Sequence, residues 1–230
     1  MAATNSAHVA EFRSFDLLFA RSEEAQVPRY LLLLDMAPAA REAIVAIREA
    51  IASSGARLDA EIDALLTERN WRPQLVGCVA LVVAGPNESR LASLWGAINR
   101  PCWTSPQLVA SASLVDEHFD ERARARLDRR GGLDVREAVA MPWLLRHSAL
   151  GPQSVEAHWA EVVAALLRMC ELRTSAATGI TTYAATEELR KLVATDTGRG
   201  GDIAEAWAGA LAALLADIAR RDRDFRQRNR

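Results

Sequence analysis

The sequence predicts an all-α protein made of stacked antiparallel helical hairpins, and three observations support this fold class. Half of the 230 residues are hydrophobic and only 6% are aromatic; Ala, Leu and Val dominate, and Ala and Leu are strong helix formers. Apolar residues recur three and four positions apart, as one face of a helix requires. A ten-residue segment also occurs twice, starting at Pro73 and at Pro106.

The first half of the chain divides into helices at clear start and stop signals. A nearly all-apolar run after Pro73 predicts a helix that is buried on most sides and ends at Gly85. Thr104-Ser105-Pro106 is a start signal, with a capping hydroxyl and a proline in the first turn. The helices predicted here span about 38–54, 58–68, 73–84, 88–99, 106–115 and 120–130.

The second half has longer helices and two breaks. We expect a helix at about 134–147 divided by Pro142, a long helix capped by Ser154, and a helix at about 184–194. A small, polar stretch at 174–182 reads as a loop. The Gly-rich stretch at 195–201 reads as a linker, and Asp202 is expected to cap the last helix. Residues 1–230 are therefore predicted to form one helical repeat domain, with 150–230 as its C-terminal helical part or cap.

The most specific feature is the internal repeat. Six of ten positions match between residues 73–82 and 106–115, and a tryptophan precedes each copy, Trp71 and Trp103. Each copy also follows an amphipathic helix, so the unit is a helix, a short turn, a Trp and a Pro-started buried helix. One helical pair leaves an apolar face uncovered, whereas stacked pairs cover it.

Trp71-Arg72-Pro73-Gln74-Leu75-Val76 and Trp103-Thr104-Ser105-Pro106-Gln107-Leu108-Val109 resemble HEAT/armadillo-like helical-repeat proteins of bacteria. The resemblance covers residues 58–119. It implies a curved α-solenoid scaffold with an exposed concave face, and it carries over no catalytic residue. Small bacterial proteins of this appearance are sometimes immunity proteins encoded beside secreted toxins, so the resemblance implies a protein partner, a toxin encoded nearby.

Composition disfavours several other classes of protein. A net charge of −2 and a pI of about 6.1 argue against a dedicated nucleic-acid binder, since such proteins carry a basic face. Three widely separated cysteines form no metal-binding pattern and suit a reducing cytoplasm. The longest apolar stretch, at about 75–84, is too short to span a bilayer, and no signal peptide is recognised at residues 1–8. We therefore expect a cytoplasmic protein without membrane contact, cofactor or metal.

Catalytic motifs are weak. Asp116-Glu117-His118 has residue types suited to acid–base work, but a polar turn whose Asp caps the next helix is the favoured interpretation. His158 and Glu161 share a helix face without further ligands. Thr197 to Gly201 lacks the Lys and the preceding strand of a phosphate-binding loop. We predict no catalytic residues.

The two repeat tryptophans are the best candidates for binding. They either pack beneath the next helix, the favoured interpretation, or form aromatic anchors beside Arg72 and Arg100. The predicted function is a scaffold that neutralises a toxin by direct binding. The alternatives are a HEAT-like DNA-base glycosylase, with Asp116, Trp103 and arginines within 122–130 in its site, and a regulatory adaptor. The candidate partner-binding residues are Trp71, Arg72, Arg100, Trp103, Asp116, Glu117 and His118.

Overall fold

The computed structural model describes residues 12–100, 102–128, 152–178 and 199–228, and these fold into helices with no strand among them. The predicted all-α class is thus confirmed for this part of the chain. Short 3-10 helices span Arg13–Phe15, Arg29–Leu33 and Gly55–Arg57. The α-helices are α1 (Asp16–Phe19), α2 (Ala40–Ser54), α3 (Leu58–Thr67), α4 (Trp71–Ala84), α5 (Glu88–Ile98), α6 (Ser105–Val115), α7 (Phe119–Asp128), α8 (Pro152–Thr178) and α9 (Gly200–Arg228).

Helices α2 to α7 lie within two residues of their predicted bounds, because their termini have local causes. The side chain of Asn70 accepts a hydrogen bond from the backbone N–H of Arg72 and begins α4 two residues before Pro73. Asn87 begins α5 in the same way. Gly85 ends α4 with a φ of 86°, a conformation that favours glycine.

Three predictions for the second half were wrong. Helix α8 begins at Pro152, so Ser154 lies inside its first turn and is not its cap. Helix α8 continues to Thr178, through the start of the loop predicted at 174–182; threonine and serine lower helix propensity by less than about 1 kcal/mol each, which does not end a helix on its own. Helix α9 already begins at Gly200, so Asp202 lies inside its first turn and the linker ends before Gly200. The helices predicted at 134–147 and 184–194 lie outside the described residues.

The two repeat copies lie side by side. Helix α3 packs against α4 and α5, and α6 packs against α4 and α5. Gly77 permits the approach of α4 to α3, because a Cβ there would lie 2.9 Å from Leu65 Cβ. The repeated glutamines also have matching roles: buried Gln74 donates from Nε2 to the Glu68 carbonyl (2.7 Å), and buried Gln107 donates to the Leu34 carbonyl (3.3 Å).

The C-terminal helices pack across the centre of the molecule. Both α8 and α9 contact α6 and each other. Helix α9 also reaches the N-terminal part, where Trp207 Nε1 donates to the Leu33 carbonyl at 2.8 Å. Farther along, Asp222 pairs with Arg48 of α2 at 2.8 Å. The C-terminal helices therefore share one core with the N-terminal part of the chain.

Gly200 offers a test of the α8–α9 contact. A Cβ on Gly200 would lie 2.8 Å from Glu161 Cα and closer still to the Glu161 carbonyl oxygen, so backbone would have to move. We expect Gly200→Ala to lower the free energy of unfolding by about 2 kcal/mol in urea unfolding followed by circular dichroism. Gly209→Ala, in the same helix but with open space around its Cα, should instead raise it by up to about 1 kcal/mol. Equal effects of the two changes would contradict the close contact.

Candidate functional site

The repeat tryptophans meet at one surface, which we call the aromatic edge and define by Tyr30, Trp71, Arg72, Arg100 and Trp103. The Trp71 and Trp103 rings contact edge to face, with centroids 4.4 Å apart and an interplanar angle of 66°. Trp71 in turn lies edge to face on Tyr30 at 5.7 Å. Trp71 is half-buried, whereas 45% of Trp103 is exposed. The packing interpretation therefore fits Trp71. Trp103 packs against Trp71 on one side and is open to solvent on the other.

Local hydrogen bonds fix the turn that carries Trp103. The backbone N–H of Cys102 donates to Ser105 Oγ at 2.8 Å, and the backbone N–H of Ser105 donates back to the Cys102 carbonyl at 2.9 Å. Cys102 Sγ also lies 3.5 Å from Gln74 Oε1, which links the turn to α4. Trp103 is therefore held on a defined turn, and little ordering is needed before it contacts another surface.

Two arginines of the aromatic edge are positioned by neutral groups. Arg72 donates from Nε to Tyr30 Oη at 3.0 Å, and its guanidinium carbon lies 4.8 Å from the Trp71 ring centroid. Arg100 donates from Nη2 to the Leu66 carbonyl at 3.0 Å, and its Nε is buried without a hydrogen bond. Within the described ranges neither arginine pairs with a carboxylate, in contrast to Arg90, whose Nη2 lies 2.6 Å from Asp59 Oδ1.

The electrostatics of Arg100 follow from this placement. Partial burial lowers the pKa of Arg100, and the nearby charge of Arg69 lowers it further. Glu68 acts in the opposite direction but ranks behind both causes. The aromatic edge therefore combines an exposed indole with positive charge that is only partly compensated.

Asp116 does not reach the surface. It is 1% exposed, and its Oδ2 accepts a hydrogen bond from Trp95 Nε1 at 2.7 Å. Its Oδ1 accepts from the backbone N–H of His118 at 3.0 Å, just before α7 begins, and Arg122 Nε lies 3.6 Å from Oδ2. The prediction that Asp116 contacts a partner is not met by this geometry, because its oxygens are bonded inside the protein; the polar-turn interpretation fits. The neighbouring Glu117 and His118 are exposed.

Sequence reasoning missed Tyr30, which lies more than forty residues before Trp71 and belongs to no motif. Its ring and hydroxyl contact both Trp71 and Arg72. The tryptophans of the helical stripes, Trp95, Trp159 and Trp207, are all buried in the core. Arg126 of α7 also has a role in packing, because its guanidinium carbon lies 4.0 Å from the Trp95 ring centroid.

The described residues offer little for covalent or metal chemistry. Burial raises the pKa of the Cys78 and Cys170 thiols to about 12, which leaves them protonated and unreactive at neutral pH. In the ranges that the structure covers, no three His, Cys, Asp or Glu side chains converge as metal ligands do. The same ranges contain no helix with both the length and the apolar character needed to cross a bilayer. The His158 side chain lies outside the described residues.

Comparison of the chain with protein-family models, with curated proteins and with solved structures found no match. Functional inference therefore depends on the chemistry of the aromatic edge itself.

Proposed function

We propose that the chain is a protein-binding scaffold and that its aromatic edge holds the partner. The exposure of Trp103 is the observation that carries this proposal. The ring is 45% exposed although it packs on Trp71, and the turn beneath it is fixed by hydrogen bonds. Tryptophan and arginine are the residues most enriched at the energetic centres of protein interfaces, and Arg72 lies beside the Trp pair.

The repeat architecture belongs to the same proposal. Each repeat turn supplies one tryptophan to the same edge, which a short HEAT-like solenoid would achieve by stacking equivalent turns. The side-by-side packing of α3/α4 and α5/α6 supports this arrangement. A scaffold of this kind offers a preformed surface and requires no reactive group.

The most concrete form of the proposal is a cytoplasmic immunity-type protein that neutralises a cognate bacterial toxin by covering it. Such a protein needs no catalytic residue of its own. The buried, fully engaged carboxylate of Asp116 supports binding over the glycosylase alternative, because a base that is bonded to Trp95 and to a backbone N–H is not available to a substrate.

Trp103→Ala tests the proposal. The chain is co-expressed with the products of its two flanking genes, and proteins retained after a high-salt wash are identified. We expect one retained partner at one-to-one stoichiometry, and we expect Trp103→Ala to weaken its binding by about 30-fold or more in calorimetry, the effect of a loss of at least about 2 kcal/mol.

Phe225→Ala is the matched control, since Phe225 is a 69% exposed aromatic on α9 outside the aromatic edge. Its affinity should stay within about twofold of the unchanged chain. If no protein is retained, or if the two variants bind alike, the proposed site is wrong. The immunity form requires in addition that the partner stops growth when expressed alone and that co-expression of this chain restores it.

A further inference from the structure

We infer that the aromatic edge takes an acidic protein segment, with carboxylates against Arg72 and Arg100 and an apolar side chain on Trp103. This inference rests on the proposed function and specifies the chemistry of the partner. It follows from the positions and the charge balance of the two arginines.

Most arginines on the described helices have a carboxylate of the same chain within 4 Å. They are Arg29, Arg41, Arg48, Arg57, Arg90, Arg122, Arg168, Arg173, Arg220 and Arg221. Arg72 and Arg100 have none among the described residues, yet both are held in place. An exposed arginine without an ion pair among the described residues, such as Arg223 on α9, is ordinary; one that neutral groups hold in place at the aromatic edge is prepared for an external partner.

The groups that hold these arginines are all neutral. Arg72 is bonded to Tyr30 Oη and to Asn70 Oδ1, and Arg100 is bonded to the Leu66 carbonyl. A neutral acceptor does not compensate the guanidinium charge, which for Arg100 is offset only in part by nearby Glu68, and the partial burial of Arg100 makes that charge less favourable. A carboxylate from a partner forms charge-assisted, often bidentate hydrogen bonds with a guanidinium. It would therefore compensate the positive charge and offset the cost of burying it.

A protein segment fits this surface better than a nucleic acid. The whole chain carries a net charge of −2, and Glu68 lies near Arg100. A polyanion binds where many cations follow its backbone, whereas the aromatic edge has two arginines and a single exposed indole. One or two carboxylates next to an apolar residue match both the size and the charge of the site.

The inference can be tested without knowing the partner. Two capped tripeptides are titrated into the full chain, acetyl-Asp-Phe-Asp-amide and its neutral counterpart acetyl-Asn-Phe-Asn-amide. Nitrogen-15 spectra report on the Trp103 indole N–H and on the arginine Nε–H groups. We expect the acidic peptide to shift the Trp103, Arg72 and Arg100 signals saturably, with an affinity at least about tenfold above that of the neutral peptide.

Variants assign the effect to the two arginines. Arg72→Gln and Arg100→Gln should each reduce acidic-peptide affinity by about tenfold, the loss of one charge-assisted bond, and the affinity should fall as salt is added. Arg223→Gln removes the same charge on α9 and should change nothing. Because Arg100 also bonds Leu66, Arg100→Lys, which keeps the charge, should bind the acidic peptide better than Arg100→Gln.

Several other outcomes overturn the inference, and they can be told apart from a failure of the proposed function. If the two peptides bind equally, or if neither peptide shifts the signals, the aromatic edge does not select an acidic segment. Tighter binding of a twelve-residue oligothymidylate, falling steeply with salt, assigns the aromatic edge to nucleic acid instead. If the co-purified partner is lost in Trp103→Ala but unaffected by Arg72→Gln and Arg100→Gln, the scaffold proposal stands and the acidic partner is excluded. If no partner is retained at all, the proposed function fails, while the peptide titration still decides the chemistry of the site.

Discussion

Replacing Trp207 with Ala is expected to lower the free energy of unfolding by about 4 kcal/mol, the largest effect of any single change considered. Trp207 is only 2% exposed, so its removal leaves a large cavity beneath α9. The change also removes the indole N–H that donates to the Leu33 carbonyl, which leaves a polar acceptor without its partner. Since this bond joins residues 174 positions apart, its loss should also loosen α9 from the N-terminal segment.

Urea unfolding followed by circular dichroism measures this effect, and two variants separate its causes. Trp207→Phe keeps an aromatic ring but loses the donor, and we expect a decrease of about 1–2 kcal/mol. Trp103→Ala is the same substitution at an exposed position and should lower stability by less than about 1.5 kcal/mol, the value of its edge-to-face contact. A loss below about 1 kcal/mol for Trp207→Ala would show that α9 does not pack there.

Replacing Asp116 with Ala is the second large prediction, with an expected loss of about 3 kcal/mol. The substitution leaves the Trp95 indole N–H and the His118 backbone N–H without their acceptor inside the protein, and it removes the charge that faces Arg122. Removing one member of a buried pair lowers stability by about 3–5 kcal/mol, and the lower end applies because Arg122 is partly exposed and water can solvate its charge.

Glu117→Ala is the matched control for Asp116→Ala, because it removes a carboxylate from the adjacent, exposed position. We expect Glu117→Ala to change the free energy of unfolding, measured in urea, by no more than about 0.5 kcal/mol. The loss of unfolding free energy for Asp116→Asn should lie between the losses for these two variants, since the amide keeps one acceptor oxygen and loses the charge. Comparable losses for Asp116→Ala and Glu117→Ala would mean that the buried network does not stabilise the turn before α7.

The helices of the first half could be predicted because their causes are local. Asn70, Asn87 and Gly85 act on their own backbone, and apolar periodicity depends only on the residues of one helix. The linker prediction, by contrast, failed because of a contact between distant segments. Gly200 and Gly201 look like a linker in the sequence, but they begin α9 at the point where its backbone touches α8.

The candidate site shows the same division. Trp71, Arg72, Arg100 and Trp103 were predicted from the repeat, and Asp116 was predicted from its residue type alone. The tertiary structure buries Asp116 against Trp95, whereas it brings Tyr30 to Trp71 from a segment without any motif. A residue type indicates which chemistry is possible, but burial decides whether that chemistry is accessible.

The sequence by itself determined the all-α class, the bounds of α2 to α7 and the pairing of two repeat turns that each carry a tryptophan. Each depends on interactions within a few residues or on the comparison of one segment with another. Only the tertiary structure decided that Trp103 is exposed while Trp71 is half-buried, that Arg72 and Arg100 form no ion pair within 4 Å among the described residues, and that α9 returns to the N-terminal segment through Trp207. These properties depend on which distant surfaces meet, and that is set by the packing of the whole core.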